Sequence, residues 1–237
     1  LERVVSVAGR LSPARVLHVL HGVAGALVEA HESGLVHRDV KPANVILCRQ
    51  GGIYDFPKVV DFGLVKDLEP SGDAALTHAD VIAGTPLYIA PEAITAPDRV
   101  GPQSDIYSLG ATLYEVLCVR PPFQGKDVAE TLSQIIFREP VSPRRLNLGV
   151  PRDLETIVLK CLRKAPGDRY GTAEALAQDL RRFGRGDPVE ARPESRLERL
   201  SRRLRRHRIA VLVAGVLAVL LVALGWQSWE KNRIELE

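Results

Sequence analysis

The sequence predicts a mainly α-helical lobe followed by a single transmembrane helix. Apolar residues recur at helical spacing through much of positions 1–186, only two very short β-type stretches interrupt them, and Ile209 to Trp226 is an eighteen-residue run without a charge. At 237 residues, 46% hydrophobic and 26% charged, the chain can bury a sizeable single core and still leave segments over at its C-terminal end.

Taken in order, Ser12-Pro13 opens a long helix in which Val16, Leu20, Val23, Leu27 and, one short step off, Val28 form an apolar stripe, and Gly34 ends it. Val45-Ile46-Leu47 and Lys58-Val59-Val60 read as two very short strands separated by the Gly51-Gly52 turn. Ser104 caps a helix through Leu117 that is apolar on nearly all sides, as a helix in the centre of a lobe must be. A further helix follows Lys126. Leu154, Ile157, Val158, Cys161 and Leu162 form another stripe, and Ala173 to Phe183 makes a last, shorter helix. The run Gly184-Arg185-Gly186-Asp187-Pro188 breaks the pattern, so the lobe is expected to span 1–186.

Three separated segments carry chemistry: HRDVKPAN from His37 to Asn44, DFG from Asp61 to Gly63, and GTPLYIAPE from Gly84 to Glu92. Singly they are weak, because Asp before an aromatic and Gly is an ordinary turn and a lone Asp39 reads as a solvated carboxylate. In this order they resemble the eukaryotic-like Ser/Thr protein kinases, in particular the bacterial transmembrane receptor-like type. Val40 stands where the family motif has Leu, and Lys41 favours the serine/threonine branch. On this resemblance the chain is the C-terminal lobe of an α+β kinase fold.

The resemblance also implies roles. Asp39 accepts the proton of the substrate hydroxyl, Lys41 sits against the transferring phosphoryl group, and Asn44 and Asp61 hold the magnesium that accompanies ATP, with Mn2+ as an alternative metal. Such a reaction needs placed cations and one orienting carboxylate, since charge spreads over the equatorial phosphate oxygens. Ile46 becomes part of the floor beneath adenine, although taken alone it reads as a core residue. Thr85 contacts Asp39 and Lys41 and shapes the acceptor site. Thr77 is the candidate activation phosphosite, Ala79 occupying the place of a second threonine, and Arg38 is the cation that receives its phosphate. Glu92 pairs with Arg169 in the LRKAPGDRY turn, and Asp105 hydrogen-bonds the backbone of the catalytic loop.

Only 36 residues precede His37, without a glycine-rich GxGxxG or a VAIK lysine, so the N-terminal lobe is expected to be absent. Leu1 is no initiator and the chain has no Met, which makes it a fragment on this reading, inactive alone. The whole protein is then expected to phosphorylate protein Ser/Thr in membrane-associated signalling. A catalytically silent pseudokinase or signalling scaffold is the alternative.

The C-terminal end divides into a basic linker at 187–208, the apolar span at 209–226 and the start of an extracytoplasmic segment at 227–237. As a helix the span is about 27 Å long, close to the ~30 Å hydrocarbon core. Seven arginines lie within the thirteen positions from Arg196 to Arg208, although the net charge is only +3. Positive-inside then puts the lobe in the cytoplasm of a single-pass cell-membrane protein. The cluster is expected to meet anionic lipid headgroups and no nucleic acid. A homodimer through the span or the kinase domain completes the expected partners. Cys48, Cys118 and Cys161 match no zinc or dithiol spacing, which suits buried thiols in a reducing compartment.

Overall fold

The computed structural model describes residues 1–62 and 86–191. The chain divides into two compact units, Leu1–Ala191 and Arg192–Glu237, and the second lies outside the described residues. Thr77, Thr85, the arginine cluster and the 209–226 run therefore also lie outside them.

Helix α1 (Glu2–Ala8) is followed by the long α2 (Pro13–Glu32), where the Ser12 hydroxyl accepts from the Arg15 amide at 3.3 Å and Pro13 takes a position whose N–H is not needed. Val16, Leu20, Val23 and Leu27 are all buried on its inner face. Beyond α2, Gly34 adopts the left-handed backbone (φ 77°) that turns the chain toward His37.

A 3-10 turn at Pro42–Asn44 leads into strand β1 (Val45–Gln50), which pairs antiparallel with β2 (Ile53–Val59). Both strands are longer than the sequence periodicity predicts. Gly51 and Gly52 both have positive φ, which is the backbone a tight hairpin requires. The hairpin lies on α2, where the Pro57 ring fills the space a side chain at Gly22 would take: a Cβ there would meet Pro57 Cγ at 2.5 Å.

Helices α3 (Pro91–Thr95), α4 (Pro102–Cys118), α5 (Val128–Phe137), α6 (Pro143–Leu146), α7 (Arg152–Cys161) and α8 (Ala173–Arg185) complete the unit. Fourteen residues of α4 are buried, so it is the hub, packed by α2, α7 and α8. It starts at Pro102, two residues before Ser104, whose hydroxyl lies in the first turn and accepts from the Gly101 amide at 3.2 Å.

The expected fold class needs correction. The unit is mainly α with one small β-hairpin, and no helix among the described residues is long and apolar enough to cross a membrane. The transmembrane helix, the membrane keywords and the single-pass localisation built on it are withdrawn accordingly. The free thiols Cys118 and Cys161 are buried, and burial raises them to about 11 and about 12. Among the described residues no His/Cys/Asp/Glu group could hold a metal ion by itself.

Candidate active site

The segment 37–44 hangs between two fixed points. At one end it leaves α2, and at the other Asn44 closes the 3-10 turn and enters β1. Its first two residues are anchored by Asp105, a fully buried carboxylate in the first turn of α4. Asp105 Oδ2 accepts from the His37 amide at 2.8 Å and Oδ1 from the Arg38 amide at 2.7 Å. A buried carboxylate is tolerable only when donors of this kind replace water. Arg38 itself has φ 66°, a left-handed conformation that costs a non-glycine residue about 1–3 kcal/mol unless its surroundings hold it.

His37 joins the two halves of the site. Its side chain is fully buried, Nε2–H donates to the Val60 carbonyl at 3.0 Å, and Nδ1 then accepts from the Asp39 amide at 3.3 Å. The Phe62 ring lies against it at 4.5 Å between centroids. The residue before Asp61 is thereby tied to the loop that carries Asp39.

Asn44 makes the second tie. Its Nδ2 donates to the Asp39 carbonyl and to Asp39 Oδ2, each at 2.9 Å, while its own carbonyl accepts from the Val60 amide at 3.0 Å. Since Val45 pairs with Val59, the register brings Asn44 and Asp61 to the same end of the hairpin. Asp61, with φ 60°, is a second left-handed residue in a tightly constrained position. Lys41 Nζ lies 2.7 Å from Asp39 Oδ2, with the two side chains 35% and 55% exposed, so this cation and carboxylate face solvent where a substrate can reach them. Ile46 is 48% exposed, which rules out the core reading of its side chain.

Both hydrogens of Asn44 Nδ2 are committed to Asp39, so the atom Asn44 can offer a ligand is Oδ1. Together with the exposed Asp61 carboxylate it is a set of hard oxygen donors, of the kind magnesium takes when phosphates and water supply the rest.

Glu92, in α3, accepts from Arg169 Nη1 at 2.6 Å and Nη2 at 2.7 Å, and from the Ser104 hydroxyl at 2.7 Å. Burial opposes its charge, but the Arg169 and Ser104 contacts outweigh this and hold the carboxyl below the usual carboxylate range. The preceding segment is fixed as well: the Tyr88 hydroxyl donates to Glu115, and its carbonyl accepts from the Ser108 hydroxyl at 2.8 Å. Burial first, then the contact with Glu115, pushes the Tyr88 hydroxyl far above its ordinary range. Sequence reasoning missed Tyr88, Glu115 and His31, whose Nε2 lies 2.8 Å from Asp105 Oδ2. The DIYSLG segment, which demands a partner for its buried acid, is the signal that could have prompted a search for His31.

Comparison with known proteins adds an independent finding. The family described as "Protein kinase domain" matches residues 1–180. Serine/threonine-protein kinase PknB of Mycobacterium tuberculosis (strain H37Rv) is 38% identical over 191 residues, covering 81% of this chain and 30% of that protein. A probable serine/threonine-protein kinase of Streptomyces coelicolor, SCO3848, is 38% identical over 182 residues, covering 77% and 26%. The chain thus spans under a third of the length of the curated relatives it matches. The crystal structure of Rad53 1-466 with AMP-PNP superposes with a TM-score of 0.60 at 23% identity, covering 75% of this chain and 42% of that one, a likeness of fold. The expected subtype is corrected here: the match is to the kinase domain as such, and it reveals neither a transmembrane receptor nor a missing N-terminal lobe.

Proposed function

Because this chain belongs to the protein kinase domain family over residues 1–180, we propose that the protein transfers the γ-phosphoryl group of ATP to serine and threonine hydroxyls of other proteins. The observation that carries the reading is the double donation of Asn44 to Asp39, with Val60 bonded to the Asn44 carbonyl. One acid is held at a fixed distance from the groups that meet the phosphates.

In this reaction Asp39 takes the proton of the substrate hydroxyl as that oxygen attacks the γ-phosphorus in line; the bond to ADP breaks and ADP departs with the electron pair. Lys41, now paired with Asp39, turns its ammonium toward the transferring group and offsets its charge. Asn44 Oδ1 and the Asp61 carboxylate would hold Mg2+, which would neutralise charge on the phosphates. Ile46 offers its exposed side chain to the adenine face. Thr85 supports the acceptor site and Thr77 is the regulatory phosphosite, with Arg38 as receiver of its phosphate. If a second copy adds that phosphate, activation of dilute protein shows a lag that shortens with concentration.

The test is phosphate incorporation into a protein substrate with Mg2+ and ATP. Asp39→Asn, which keeps the shape and removes the base, is expected to lower kcat roughly 10²- to 10⁴-fold. Equal rates for the two proteins overturn the assignment of Asp39.

A further inference from the structure

Helix α8 ends at Arg185, yet the chain stays on the unit as far as Ala191. Gly186, with φ 77°, turns it, and the Asp187 amide closes the helix end on the Arg182 carbonyl at 2.9 Å. Residues 187–191 then run back along α8 to Asp179, a carboxylate only 1% exposed. Its Oδ1 accepts from the Glu190 amide at 2.6 Å, and its Oδ2 accepts from the Ala191 amide at 2.9 Å and from the Tyr170 hydroxyl at 2.7 Å. Ala191 is itself buried, and Val189 packs against the core. An acid enclosed on the packing face of a helix is costly unless donors replace its water, and two of these three donors arrive on the returning segment. An apolar residue would serve α8 better if it had no strap to hold.

From this geometry we infer that residues 187–191 are a latch: closed on Asp179, they hold α3 in place through Tyr170 and Arg169, and drawn off α8 they loosen it.

The physical chain is short. Tyr170 is buried, with its hydroxyl on Asp179 and its ring under Lys160 of α7, whose Nζ lies 4.1 Å from the ring centre. It follows Arg169, whose guanidinium bonds Glu92 of α3 at 2.6 and 2.7 Å. With the latch open, Asp179 keeps one of its three donors. A carboxylate so exposed turns to water, and the water it admits competes for the Tyr170 hydroxyl. Tyr170 and Arg169 share a rigid peptide unit, and charge-assisted contacts this short tolerate little displacement. The latch is thus a two-state element whose position α3 senses. The exposed pair of Arg182 with Glu190, at 2.9 Å, adds little to its closure.

Native-state hydrogen exchange on the whole protein reads both ends. Ala191→Asp places a second carboxylate in the enclosed space beside Asp179 and opens the latch from the strap side, leaving α8 untouched. Exchange at the Glu190 amide is expected to rise about 10- to 100-fold, the factor that loss of a hydrogen bond to a charged acceptor implies. Exchange at the Ala93 and Ala96 amides, whose bonds fix α3, is expected to rise about 3- to 10-fold with it. Arg182→Ala removes only the surface pair and is expected to leave both ends within about two-fold of native. A Glu190 amide still protected in Ala191→Asp overturns the latch. An unprotected Glu190 amide beside native exchange in α3 overturns the coupling, and the proposal with it. Opening by Arg182→Ala as wide as by Ala191→Asp shows that Asp179 is not the catch, and overturns it too. If Ala191→Asp fails to fold, Asp179→Asn decides: its amide nitrogen faces a strap N–H, one strap bond at most survives, and native exchange at either end overturns the proposal.

Discussion

Arg169 meets Glu92 at two points, 2.6 and 2.7 Å, and gives its three remaining N–H groups to the carbonyls of Arg163, Gln103 and Lys164. All five guanidinium hydrogens are therefore used inside a site where Arg169 is 4% and Glu92 6% exposed. The guanidinium also lies 4.9 Å from the centre of the Tyr107 ring. This joins α3, the start of α4 and the turn before α8 into one rigid corner.

Breaking such a pair from one side strands a buried charge. Glu92→Gln and Arg169→Met are each expected to destabilise the protein by about 3–5 kcal/mol, and the double variant by clearly less than their sum. Urea unfolding of the four proteins checks this. Two additive losses below about 1 kcal/mol would mean the pair behaves as an exposed one.

The same contact sets an acid limb. The folded-state pKa of Glu92 lies below its unfolded value, so its stabilising contribution is fully present above the ordinary carboxylate range. That contribution fades as pH falls from about 4.3 through the folded value, because the unfolded chain takes up the proton first. Unfolding free energies of native protein and Glu92→Gln are expected to converge below that range and to separate above it. A gap that stays constant from neutral pH down to strong acid would contradict the assignment.

Residues adjacent in sequence were the readable part of this site. Asp39, Asn44 and Asp61 can be named from HRDVKPAN and DFG, because these contiguous motifs carry the resemblance that implies their roles. The α2 stripe is legible for a similar reason: Val16, Leu20, Val23 and Leu27 repeat at the helix period and all face the core. His31 was not legible, since the partner that explains it is 74 positions away and the helix offers no local sign of a buried polar contact. Helix α1 escaped as well. Its seven residues are mostly exposed, and only Val5 is buried, too little for periodicity to register. The extra length of β1 and β2 comes from pairing across the Gly51-Gly52 turn, which brings in residues such as Gln50 and Ile53 whose own pattern is not that of a buried strand.

Gly110 allows the hub helix to touch α7. A Cβ at this position would stand 2.4 Å from Cys161 Cβ and 3.4 Å from the Cys161 backbone carbon, both fully enclosed. Neither side can swing away as a long side chain would. Gly110→Ala is therefore expected to cost about 1–3 kcal/mol in spite of the better helix propensity of alanine, and Cys161→Gly is expected to recover part of the loss in the double variant. Equilibrium unfolding is the measurement. An Ala variant more stable than the native protein would show that α4 and α7 lie farther apart.

Val119 caps the other end of α4 with φ 58° and ψ 28°, donating its amide to the Glu115 carbonyl at 2.7 Å. A β-branched residue in left-handed backbone is strained by about 1–2 kcal/mol, and a glycine is not. Val119 is 44% exposed, so removing its side chain forfeits little burial. The extra freedom of glycine in the unfolded chain offsets part of the gain. Val119→Gly is thus expected to stabilise the protein by about 1 kcal/mol, or about 2–4 °C in Tm for a unit of this size. Val119→Ala keeps a Cβ in the same backbone and is expected to gain less. Calorimetry of the three proteins decides it: a Tm order with native Val above both variants would mean that packing around Val119 outweighs the strain at the helix end.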